Sequence, residues 1–321
     1  MKKLLAPFLL ACASVVSMAQ SGPYPNRQVT IVDGFPAGGP TDIAARILAK
    51  HMQGVTGQSF VVENRPGATG TIAAAQMKRV PADGYTLLVN SIGTYVTAPH
   101  LLKGLTFDPR TDLDYISLVY EAPNVLVTGP ARPERTVAQV LELLKKNPGK
   151  VTFASSGNGA SDHLSAELMW QQTGTEGLHV PYKGGAPAMN DTLGGQVDFF
   201  MTNINVQLPH IRAGKLFPIA ITAPERSPAL PNVPTFAELG IQGMEVAGWQ
   251  ALTAPKGLPA DVKKKLHEMA LGAMKDPANV KMLTDLGIKI VANSPEEFTA
   301  FQLREYERWG KLIATRGIKA D

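Results

Sequence analysis

From Gln28 onward, short runs rich in β-branched and aromatic residues alternate with stretches whose apolar residues recur every three or four positions. That alternation predicts α/β domains built on parallel sheets. QVTIVDGF (28–35) predicts a strand, and Ile43, Ile47, Leu48 and Met52 then share one face of a helix from about Thr41. SFVVEN, YTLLVNS and NVLVTG continue the strands, divided by turns at Arg65-Pro66-Gly67 and Ala82-Asp83-Gly84. Past Thr136 the alternation starts again: VAQVLELLKK helix, KVTFASS strand, DHLSAELMWQQ helix, GLHVPYKG and VDFFMTN strands. After LFPIAITA, the stretch from Pro224 to Pro234 reads as irregular, and MEVAGWQALTAPKG as a further β segment. Helices then dominate, from Asp261, near Asn279, and from Pro295 to about Thr315. The last is announced by a capping box, with Ser294 as N-cap, Pro295 at the first position and Glu297 at the third.

Two stretches echo one another. IVDGFPAGGPTDIAARILAKHM and VTFASSGNGASDHLSAELMWQQ each run strand, small-residue loop, hydroxyl-Asp pair, helix. The first amides of a helix lack partners and the dipole adds partial positive charge, so glycines there let an anion approach bare N–H groups. Gly38 and Gly39 in one loop, and Gly157 and Gly159 in the other, fit that use, with Thr41 and Ser161 as hydroxyl donors. The alternative is structural: Thr41 and Ser161 cap their helices, and Asp42 and Asp162 complement the dipoles. Two copies at matching places favour the ligand reading, because open parallel sheets bind ligands at the carboxyl ends of their strands. The Gly-Lys-Ser/Thr of a phosphate loop and the G-x-G-x-x-G of a dinucleotide fold are both missing, which favours small organic anions over nucleotides.

Composition narrows the class. A chain of 321 residues, 44% hydrophobic and 18% charged, is long enough for two cores and reads as globular. MKKLLAPFLLACASVVSMA reads as a signal peptide (1–19) cut after Ala19, which predicts export to the periplasm. LLAC also resembles a lipobox, with lipidation at Cys12 as the alternative. Without Lys2 and Lys3, the 31 basic residues exceed the 27 acidic ones by only two, so no nucleic-acid footprint is expected. Cys12 is the only cysteine, which leaves the exported part without disulfide or thiol chemistry.

No G-x-S-x-G elbow or H-E-x-x-H is present, and the six histidines lack metal-ligand spacing, so neither catalysis, metal nor cofactor is expected. An exported hydrolase would need Ser155 or Ser156 with His163. Lys183 ends a strand, where it would either neutralise an acid or face solvent. Arg65 is expected to tie down a turn through Glu63, and Trp170, Trp249 and Trp309 to pack. Asn203 follows the apolar VDFF in a polar run where a strand end meets a cleft.

FPAGGPTD (35–42), VVENRPGATG (61–70), PADGYTLL (81–88), ASSGNGASDHL (154–164), HVPYKGGAPAM (179–189), GGQVD (194–198), PHIRAGKL (209–216) and RSPALPNVPTFAELG (226–240) resemble the Bug-type receptors of tripartite tricarboxylate transporters. The resemblance spans essentially the whole chain after the signal. It implies a type II periplasmic binding protein: two doubly wound α/β domains joined by crossover strands, with a ligand cleft between them. The domains would be 24–123 with 248–321, and 124–247, hinged near Pro123 to Val127 and Ala220 to Thr222, with a return near Trp249. It implies a small carboxylate as ligand (a di- or tricarboxylate, an acidic amino acid or an aromatic acid) and inner-membrane permease subunits as partners. A sensor protein is the alternative partner. The expected ligand residues are Phe35, Ala37, Gly38, Gly39, Thr41, Ser155, Ser156, Gly157, Ser161 and Asn203, with Asn90, Thr94, His163, Lys183 and Thr202 as secondary candidates. The chain departs from the family pattern at Asp33-Gly34, Ala160, Asp162 and Thr202. Gly34 is expected to loosen the first loop.

Overall fold

The computed structural model describes residues 23–319. Strand β1 (Val29–Asp33) leads into α1 (Pro40–Thr56), and β2 (Phe60–Asn64) into the short α2 (Thr71–Gln76). Helix α1 opens with Pro40 at its first position and closes on Gly57 in the left-handed region, where proline and glycine are each least costly. After β3 (Thr86–Ser91) come a π turn and the four-residue α3 (Ala98–Leu101), then the long β4 (Leu113–Thr128). The second half repeats the plan: α4 (Val137–Lys146), β5 (Thr152–Ser155), α5 (Ser161–Thr173), β6 (Leu178–Pro181), α6 (Gly185–Leu193), β7 (Phe199–Asn203), α7 (Ile204–Arg212) and β8 (Phe217–Ile221). The chain returns along β9 (Ala247–Pro255) and ends with α8 (Ala260–Lys275), α9 (Pro277–Asp285), the two-residue β10 (Lys289–Ile290) and α10 (Pro295–Arg316). The capping box at Ser294 and Glu297 forms as expected.

The strands form one sheet in the order β2-β1-β3-β9-β4-β7-β5-β6, with β8 and β10 also paired to β4. Each end is a parallel trio, and the antiparallel β9 and β4 lie between them. Helices cover both faces, so the strands are apolar throughout and neighbours drop into opposite cores. Ile31, Val89 and Leu252 enter one cluster, while Val32, Leu88 and Ala251 enter the other.

Strand β4 changes partner part-way along its length. Leu113 to Pro123 pair with β9, whereas Asn124 to Thr128 pair with β7 and β8. At that junction Thr222 accepts from the Asn124 amide (2.9 Å) and donates to the Val246 carbonyl (2.5 Å), tying together three segments that pass between the two lobes. The stretch from Pro224 to Pro234 is irregular, as its prolines suggest. Sequence periodicity assigned no element to α2, α3, α6 or α7. The first two are four to six residues long, and the latter pair carry prolines at Pro187 and Pro209.

Candidate functional site

Five strands deliver loops to one edge of the sheet, where the lobes face one another. Between them lies a cavity of about 40 Å³, room for roughly three waters, whose lining includes Phe35, Gly39, Thr41, Ser91, Ser156, Ala160, Thr202, Asn203 and Gln250. Larger cavities of about 410 and 600 Å³ lie behind the β4–β9 junction and beside Asp108. Neither receives a convergent set of helix starts.

The small cavity receives four. Gly39 and Pro40 begin α1, Ala160 precedes α5, Gly184 to Ala186 open α6, and Asn203 precedes α7. Sequence reading anticipated α1 and α5 only. No Lys, Arg or His side chain lines the cavity, so any positive potential there comes from backbone amides.

Thr41 and Ser161 do not cap their helices. The N-cap positions belong to Gly39 and Ala160, neither with a side-chain cap bond, because the chain turns helical two residues earlier than Thr41 suggests in α1 and one residue earlier than Ser161 suggests in α5. The Thr41 hydroxyl is fully buried with no partner of hydrogen-bond geometry, although it lies close enough to Asp33 to lower that carboxyl's pKa.

The picture of wholly bare loop amides needs correcting, because acidic side chains of the loops occupy several of them. Phe35 donates to Asp33 (3.0 Å) and Gly38 to Asp42 (3.0 Å). In the second loop Ser156 donates to Asp162 through both its amide (2.8 Å) and its hydroxyl (2.6 Å). The sequence echo is thus a shared device: each helix-start Asp folds back and fastens its own loop. Asn64 Nδ2 sits among Asp33, Asp42 and the Phe35 carbonyl at 2.9 to 3.1 Å, and Arg46 pairs with Asp42 at 2.8 Å. Burial alone would raise the pKa of Asp42, but Arg46, the Gly38 amide and Asn64 hold it below the usual range. Asp33 lacks a cation, and burial lifts its pKa to about 7. Gly34 does not loosen this loop. It is buried, and a Cβ there would lie 2.7 Å from the Asn90 amide and 2.8 Å from the Gly70 backbone, so the glycine permits close packing.

Of the expected ligand residues, the cavity gathers Phe35, Gly39, Thr41, Ser156, Asn203 and Thr202. Ala37 and Gly38 are exposed on the outer side of the first loop. Gly157 and Lys183 line a neighbouring vestibule of about 590 Å³. Ser161 is buried beneath the cavity beside Asn124, at a long 3.5 Å. Asn90 and Thr94 fasten the 67–70 loop, through the Gly70 carbonyl (3.1 Å) and the Thr69 carbonyl (2.7 Å). Ser155 is fully buried and meets His179 Nε2 at 2.6 Å, so the serine's partner is not His163. His163 accepts from the Gly159 amide and stacks on His179, whose pKa is pushed down to about 3 by burial and by His163. Ser155 pairs with His179 but is sealed from the cavity, and the Ser156 hydroxyl is spent on Asp162, so the pairing of either serine with His163 that a hydrolase was expected to need does not form. Among the described residues, no group of three His, Cys, Asp or Glu side chains is placed to hold a metal ion.

Sequence reading missed Ser91, Gln250 and the start of α6. Ser91 and Gln250 are cross-strand neighbours on β3 and β9, and that pairing has no linear signature. Gly248, two residues before Gln250, lets β9 pass against Asn203 and Ser161. A Cβ there would clash with the Asn203 amide and lie 2.8 Å from the Ser161 hydroxyl.

Residues 44–318 match the model of the tripartite tricarboxylate transporter receptor family, TctC. The chain belongs to that family. Protein BugT of Bordetella pertussis is 34% identical over 322 residues, 99% of each chain. Among solved structures, R. palustris Rpa4515 with adipate is 34% identical with a TM-score of 0.89, covering 93% of this chain and 100% of that one. MatC (Rpa3494) from Rhodopseudomonas palustris with bound malate is 31% identical with a TM-score of 0.86, covering 90% and 100%. The chain therefore has the mixed α/β fold of periplasmic solute-binding receptors, and these neighbours are binding proteins. No helix among the described residues is long and apolar enough to cross a membrane. The signal-peptide reading and Cys12 lie outside the described residues.

Proposed function

We propose that this receptor captures a small carboxylate between its lobes and hands it to the membrane subunits of a tripartite tricarboxylate transporter, after export directed by residues 1–19. The carrying observation is the convergence of four helix starts on one cavity that no cationic side chain lines. Oriented amides, including the start of α7 at Asn203, then offer the positive potential for an anion, with the unpartnered Thr41 hydroxyl as a fixed donor. Family membership and the two neighbours named with adipate and malate support a carboxylate ligand.

The lobes act as domains 24–123 with 248–321, and 124–247. The change of β4 partner between Pro123 and Asn124 supports that division. Ligand binding biases closure about the Asn124–Thr222–Val246 junction, and the closed form docks on the permease. A thermal-shift screen of the purified protein against di- and tricarboxylates, acidic amino acids, and aromatic acids with their amides tests the ligand class. A ligand that binds only the folded state at a hundredfold its Kd adds about 2.7 kcal/mol of stability. The expected result is a raised melting temperature with at least one carboxylate. A flat response to every acid beside a rise for an uncharged amide would overturn the anion reading.

A further inference from the structure

Among the described buried side-chain atoms that lack a hydrogen-bond partner, two belong to residues lining the cavity between the lobes: Thr41 Oγ1 and Gln250 Oε1. Thr41 stands at the start of α1 and answers to the anion already proposed. Gln250 stands elsewhere. It is 2% exposed and lies on β9, the strand between β3 and β4 in the middle of the sheet, rather than at a helix start. Its register partners are Ser91 on β3 and Tyr120 on β4. The Tyr120 hydroxyl is spent on the Pro40 carbonyl (2.5 Å), so it does not serve the carboxamide. Ser91 lines the same cavity beside Gln250.

We infer that Gln250, with Ser91 beside it, reads a hydrogen-bonding substituent on the carbon chain of the ligand, so that the site selects hydroxy- or amino-substituted short carboxylates over unsubstituted ones. The inference rests on the carboxylate reading above and refines it. Helix starts from the two lobes hold carboxylate oxygens at the ends of the cleft, which leaves the mid-sheet pair facing what lies between those ends. A methylene there leaves a buried carboxamide unpartnered, whereas a hydroxyl or ammonium satisfies it. A site built around a hydrogen-bonding group rejects the analogue that lacks it far more strongly than an apolar pocket rejects an added group. The carboxamide both donates and accepts, and Ser91 adds a second such group, so the shared chemistry is a polar substituent of either kind.

The test compares succinate, malate and aspartate as probes, by calorimetric titration of the full protein and of Gln250→Leu and Gln250→Glu. Wild type is expected to bind malate or aspartate at least about tenfold more tightly than succinate, and the two arms separate hydroxyl from ammonium. Gln250→Leu should remove that preference while leaving succinate binding within about threefold. Gln250→Glu, through its added charge, should favour aspartate over malate, and retention of succinate binding by Gln250→Leu shows that the fold tolerates change at this position. Equal affinity for succinate and malate in wild type overturns the inference but leaves the carboxylate reading standing. An equal loss of all three probes in Gln250→Leu also overturns it, by assigning the carboxamide to a ligand carboxylate. Failure of every carboxylate to bind wild type removes both readings together.

Discussion

Asp33 shows how one residue sets the character of the first loop. Burial raises its pKa from 3.8 to about 7, against the opposing pull of Thr41 and the Phe35 amide, and the charge on Asp42 adds to the rise. In the window between those two values the folded chain holds the proton more tightly than the unfolded chain. Stability therefore falls as pH rises through that window and levels off above it. Asp33→Asn removes this titration, so denaturant unfolding from about pH 4 to about pH 8 should give a flatter profile than wild type, by up to roughly 4 kcal/mol. An unchanged slope would place the pH dependence elsewhere. At the same scale Gly39, Thr41 and Asn203 were legible in the sequence, because a glycine-rich helix start and a polar strand end are local patterns. Gln250 and Ser91 were not, because they meet only through pairing of β9 with β3, across 159 positions of chain.

At the scale of elements, the two lobes meet through hydroxyls of the first lobe and carbonyls of the α5 loop. Thr97 donates to the Gly159 carbonyl (2.5 Å), and Thr69, held at φ +54° in the left-handed region, donates to the Asn158 carbonyl (3.1 Å). In the proposed closure of the lobes about the β4 junction, these bonds would favour the closed form. Thr97→Val should weaken apparent ligand affinity roughly threefold to tenfold. It should also enlarge the radius of gyration of the ligand-free protein in solution scattering. An unchanged radius with unchanged affinity would exclude these contacts from the equilibrium. The long helices α1, α5, α8 and α10 announced themselves through apolar periodicity, terminal prolines and glycines, or a capping box. Helices α6 and α7 did not, since nine residues, with Pro187 in the first turn of one and Pro209 inside the other, carry too little periodic signal. Two of the four helix starts at the cavity were invisible for that reason.

For the molecule as a whole, the repeated strand–loop–helix plan implied two similar halves, and the structure fuses them into one sheet through β4 and β9. The fusion places the α1 start opposite the starts of α5, α6 and α7, and leaves only about 40 Å³ between them. On the function proposed here, a carboxylate enters when the lobes part and is then enclosed by amides from both. Calorimetric titration with the carboxylate that most raises the melting temperature, on wild type and on Thr41→Val, tests this most directly. The account predicts one ligand per chain for wild type, and for Thr41→Val an affinity at least about tenfold weaker with unliganded stability preserved. Saturable binding that is indifferent to Thr41→Val would contradict it, by placing the ligand away from the α1 start.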